Sequence, residues 1–120
     1  MLNDCKLLGR ISTDLELKKT NQGKDCITFD IAVRRDKGDK ADFITVKAYN
    51  VVATNLVKFK SIGDRIIVCG QLHINTYTNK NQQKQKEVFV MAEKIYYLDN
   101  NVDENNYAAN IDVPTEVKKL

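Results

Sequence analysis

Two alternating runs separated by one charged loop constrain this chain more than any other feature. In residues 26–35, Ile27, Phe29, Ile31 and Val33 fall on one face, and Thr28, Asp30, Ala32 and Arg34 on the other. In residues 41–49, Ile44, Val46 and Ala48 share an apolar face, while Phe43, Thr45, Lys47 and Tyr49 share the opposite one. Strand side chains alternate sides, so each run reads as a strand with one face turned to a core. The link between them, residues 34–40, is charged and short, which favours an antiparallel return. The outer face of the second strand is unusual. It sets an aromatic ring at each end of a polar run, with a cation beside the second ring. Such a surface stacks bases and attracts phosphates.

The remaining segments supply the other walls of a small barrel. Residues 2–11 carry apolar side chains on both faces, Leu2 and Leu8 on one, Cys5, Leu7 and Ile11 on the other. Ser12, Thr13 and Asp14 interrupt this strand, and residues 15–19 resume it around a bend, so that one strand serves two sides. Residues 21–24 form a turn by composition. After Tyr49 the period changes. Val52, Leu56 and Phe59, with Val57 alongside, predict one short amphipathic helix over residues 51–60, with Asn50 as its N-cap and residues 61–64 as its stop.

Residues 65–77 form another strand, with Ile66, Val68, Leu72 and Ile74 on the core face and Gly70 at a bend or close approach. Ile67 and Cys69, opposite, suit a subunit interface. Residues 78–86 read as a polar, cationic loop and residues 87–98 as the last strand. The expected fold is all-β: a five-stranded Greek-key OB-fold barrel with one short helix between strands 3 and 4. The barrel domain spans residues 1–98, and residues 99–120, acidic and Asn-rich, form a disordered or loosely attached tail.

Charge divides at the same boundary. Residues 1–98 hold 17 Lys and Arg against 11 Asp and Glu; residues 99–120 hold 2 against 5. A basic body suits a polyanionic partner. No apolar run is long enough for a membrane span, and the N-terminus has no signal-peptide pattern. Cys5, Cys26 and Cys69 are odd in number, widely spaced and set in apolar runs, which favours small buried hydrophobes in a reducing, cytoplasmic compartment over metal or disulfide. His73, the one histidine, sits mid-strand, and neither a nucleophile elbow nor a Gly-rich phosphate loop is present. No enzyme, metal or cofactor is therefore expected.

Five segments in register carry a resemblance. They are Leu7-Leu8-Gly9-Arg10 followed by Asp14-Leu15-Glu16-Leu17, then Thr28-Phe29-Asp30-Ile31-Ala32-Val33, Asp42-Phe43-Ile44, Ser61-Ile62-Gly63-Asp64 and Cys69-Gly70-Gln71-Leu72. Over residues 1–98 the chain resembles bacterial and phage-type single-stranded DNA-binding proteins. The resemblance implies an OB barrel, a homotetramer (or a dimer), and wrapping of single-stranded DNA without sequence preference. It places stacking aromatics at Phe43, Tyr49 and Tyr77. A further aromatic of the family falls near Arg35, whose planar guanidinium also stacks and pairs with phosphate. The residues between and around these rings complete the expected track: Lys47 on the same face, Arg10, Lys18, Lys19 and Arg34 on strands, and Lys80, Lys84 and Lys86 in the loop. Tyr96 and Tyr97 read as packing or subunit contacts.

The chain departs from the family at its end. Residues 116–120 carry Lys118 and Lys119 where an acidic tip is expected, so recruitment of repair enzymes through such a tip is unsupported. An OB module that binds RNA, or only another protein, is the alternative reading.

Overall fold

A computed structural model describes residues 1–98. The tail expected over residues 99–120 lies outside the described residues. Six strands and one helix follow in order: β1 (Cys5–Ile11), β2 (Lys18–Lys19), β3 (Asp25–Arg34), β4 (Ala41–Tyr49), α1 (Asn50–Phe59), β5 (Arg65–Thr78) and β6 (Lys84–Tyr97).

The sheet runs β1-β5-β6-β4-β3-β2, and β1 also pairs with β3, which closes it. All pairings are antiparallel except the short contact of β4 with β6, where Val46 faces Val90 and Lys47 faces Met91. The bend expected after Ile11 is real: β1 pairs with β3 at Ile31 and Ala32, and β2 pairs with β3 at Asp25 and Cys26. Between them Ser12 Oγ donates to the Asp30 carbonyl, and Thr13 Oγ1 accepts from the Asp30 amide. These hydroxyls satisfy β3's backbone where the ladder breaks. β1 and β2 are thus two halves of one strand, and the barrel is the expected five-stranded OB-fold.

The alternating faces fill the interior. Ile27, Phe29 and Ile31 from β3, Val46 and Ala48 from β4, Ile66 and Val68 from β5, and Val90 and Ala92 from β6 form one buried cluster with Ile11. Ala53 and Leu56 of α1 close its end. Each large apolar side chain buried this way contributes about 1.5–3 kcal/mol. Among the described residues, no helix is long and apolar enough to cross a membrane.

Several sequence expectations are corrected. Asn50 does not cap α1: Tyr49 holds the N-cap position without a side-chain bond. Asn50 is instead the first helical residue, at φ 56°, a left-handed conformation that Asn tolerates better than most residues. The three cysteines are half-buried, not buried. Phe59 is exposed, and its ring leans on Tyr97 at 6.2 Å between centroids; burial pushes the Tyr97 phenol up from its usual range. Leu72 and Ile74 continue the core face of β5 but are exposed, because the strand has left the barrel by then. Finally, the expected loop over residues 78–86 is shorter than its sequence suggests: only residues 79–83 form the turn. Pairing continues to Thr78 and Lys84, so β5 and β6 project as a two-stranded arm.

Candidate nucleic-acid interface

Register determines which outer-face residues become neighbours, because directly paired residues point to the same side. Arg10 pairs with Ala32, which pairs with Phe43. Asp30 pairs with Thr45, and Thr28 with Lys47. Lys18 pairs with Cys26, which pairs with Tyr49. The outer face is therefore a set of short lateral rows. Phe43 and Tyr49 mark its two ends, about 20 Å apart at the usual rise of a strand.

The three expected aromatics are all accessible: Phe43 is 70% exposed, Tyr77 55% and Tyr49 36%. Phe43 stands free of the core on β4. Tyr49 lies beside a shallow recess lined by Thr20, Asn21, Gln22, Lys24 and Asn50. Tyr77 stands on the arm opposite Gln85, on the face that also carries His73, Asn75, Glu87 and Phe89. The arm thus carries a ring well beyond the barrel. Phe43 and Tyr49 thus stand on β4 and Tyr77 on the arm, so the three rings do not form one cluster.

The cations fall into two groups. Arg34, Lys18, Lys80, Lys84 and Lys86 are exposed, and none has an ion pair among the described residues. Lys84 and Lys86 lie on β6, while Lys80 lies in the turn between the arm's strands. The second group is already engaged. Arg10 Nη1 donates to the Gly63 carbonyl at 2.6 Å, and Lys19 pairs with Asp25 at 2.8 Å. Arg35 Nη2 lies 2.8 Å from Asp42 Oδ1, and its Nε lies 3.2 Å from both carboxylate oxygens. That forked contact holds the Asp42 carboxyl below the usual carboxylate range. Arg35 therefore sits where a ring was expected, but its plane is turned to a carboxylate.

Lys47 is the most confined of all. Its Nζ lies 2.8 Å from Glu87 Oε1 and 4.3 Å from the centroid of the Phe89 ring. The sequence alone gives no sign of this arrangement. Glu87 and Phe89 continue the outer-face alternation of β6, but only the parallel contact of β4 with β6 brings them to Lys47. The remaining outer-face polar groups pair among themselves: Thr45 Oγ1 donates to Asp30 Oδ1 at 2.9 Å. Chemically, the surface offers exposed ring faces along a basic, open track. Among the described residues, no group of His, Cys, Asp or Glu is placed to hold a metal ion.

Residues 2–98 match the model of the single-strand binding protein family. The chain is 35% identical over 111 residues to single-stranded DNA-binding protein 1 of Staphylococcus aureus (strain MSSA476), covering 88% of this chain and 71% of that one. It is 34% identical to single-stranded DNA-binding protein 1 of Lactococcus lactis subsp. lactis, covering 84% and 71%. In fold it is similar to a Plasmodium falciparum SSB solved in complex with ssDNA, with TM-score 0.72 and 24% identity over 82% of this chain and 97% of that one. A matched segment spanning the whole barrel, with curated relatives above 30% identity, shows that the chain belongs to the single-strand binding protein family.

Proposed function

We propose that this protein binds single-stranded DNA without sequence preference and coats exposed strands in replication, recombination and repair. It does so as a non-enzymatic, cytoplasmic homo-oligomer. One observation carries the reading: Phe43, Tyr49 and Tyr77 present accessible rings, with the exposed cations Lys18 and Arg34 on the face of Phe43 and Tyr49 and Lys84 and Lys86 on the arm that bears Tyr77. Ring faces need bases that are not already stacked in a duplex, and every base has a face to offer. The cations Arg34, Lys80, Lys84 and Lys86 replace condensed counterions along the phosphates. The names of the Staphylococcus and Lactococcus relatives, and the ligand of the Plasmodium structure, support the same reading.

The test is a titration with single-stranded DNA, duplex DNA and RNA of equal length, run beside a column that reports mass. Single-stranded DNA is expected to bind tightest, with affinity falling steeply as salt rises. Preference for RNA, or no oligonucleotide binding at all, would favour an RNA-binding or protein-binding module. Phe43→Ala combined with Tyr77→Ala is expected to weaken binding to oligo(dT) by about 2–6 kcal/mol if the two rings add. Unchanged affinity in the folded double variant removes stacking from the mechanism.

A further inference from the structure

Lys47 lies mid-face between Phe43 and Tyr49, yet it presents little free charge. Its side chain is 20% exposed, held between the Glu87 carboxylate and the face of Phe89. Phe89 is only 3% exposed although it stands outside the barrel's core cluster. Lys47 covers it, with the His73 ring 5.6 Å from it. The ammonium is therefore satisfied twice, by an ion pair and by a ring face, and both contacts keep the side chain in place. Glu87 is 43% exposed, so its carboxylate stands at the edge of the same surface.

A phosphate arriving here meets a neutral pair whose carboxylate is the more exposed partner. To use Lys47 it must displace Glu87, which then regains a counterion, and the net ion release that drives salt-dependent binding is lost. From this geometry we infer that Glu87 is a brake on single-strand binding. It sequesters Lys47 on Phe89 and keeps one cation out of the phosphate track. The inference rests on the function proposed above, and its ligand is the phosphate backbone of a single strand.

Glu87→Gln keeps the size of the side chain and removes its charge. Wild type, Glu87→Gln, Lys47→Met and the double variant would be titrated with oligo(dT) from about 50 mM to about 1 M salt. Freeing one cation is expected to steepen the plot of log affinity against log salt by about 0.7. The advantage of Glu87→Gln over wild type then shrinks about eightfold across that range. The Lys47→Met background, which still covers Phe89 with an apolar stem, is expected to abolish the gain. Wild type that fails to bind oligo(dT) at all would sink the proposed function itself. Wild type that binds, with Glu87→Gln unchanged or weaker, overturns the brake. A gain that persists without Lys47 overturns sequestration and leaves only general repulsion by the carboxylate.

Discussion

Asp42 decides how much charge Arg35 offers. Its carboxyl is held low chiefly by the hydrogen bond from Arg35, with burial opposing and the opposite charge assisting. Both groups are exposed, and such pairs add little to stability. The consequence is for titration. A depressed folded-state value means that the pair is intact above the ordinary aspartate range and is lost only as pH falls through the lower folded value. An NMR titration of wild type is expected to place the Asp42 midpoint below that of an ordinary aspartate, and Arg35→Gln should return it upward. An ordinary midpoint in wild type would mean that the fork does not persist in solution. Arg35 also shows where sequence reading stops. Its position at the end of a strand was legible; its partner was not, because Asp42 faces it only through the hairpin register that pairs Arg34 with Ala41. Lys47 repeats the lesson across 40 positions to Glu87.

Gly70 makes the corresponding case for β5. Its place inside an apolar run signalled a bend or a close approach, and the structure supplies both. The ladder with β6 shifts register between Cys69 and Gly70, and a Cβ at Gly70 would lie 2.0 Å from the Met91 carbonyl oxygen. That contact is with backbone, so it cannot be relieved by a rotamer change. Gly70→Ala is expected to lower stability by about 1–3 kcal/mol, read as a lower urea midpoint at unchanged slope. A midpoint within error of wild type would show that the strands separate there at no cost. The two-residue period made the strands legible, but period reports which face a residue is on, not where the core ends. Leu72, Ile74 and Val88 keep the core-side alternation and are exposed all the same. Asn50 was misread for a different reason. Asn suits both a helix N-cap and a left-handed backbone, and only the observed φ separates the two.

The barrel and the arm divide the labour of the protein. Every residue of the buried cluster lies outside residues 71–89, so the core closes without the arm. The arm instead bears Tyr77, Lys80, Lys84 and Lys86, four of the twelve residues expected to meet DNA. Its strands hold each other by main-chain pairing, from His73 with Phe89 out to Thr78 with Lys84. Shortening it therefore separates folding from binding. Asn75 faces Glu87 across the ladder, so residues 76–86 can be replaced by a two-residue Asn-Gly turn of the kind that closes antiparallel strands. The His73–Phe89 contact and the Lys47–Glu87 pair stay in place. Stability is expected to change by no more than about 1 kcal/mol, as for surface alterations away from a core. Binding to oligo(dT) should weaken by at least the roughly 1–3 kcal/mol that one stacked base contributes. The salt slope should also fall by about 0.7 for each lysine that meets a phosphate. If the shortened protein unfolds, the arm is part of the cooperative unit after all. If it folds and binds as wild type does, the strand's path is confined to the barrel face, and Phe43 and Tyr49 must carry the stacking alone.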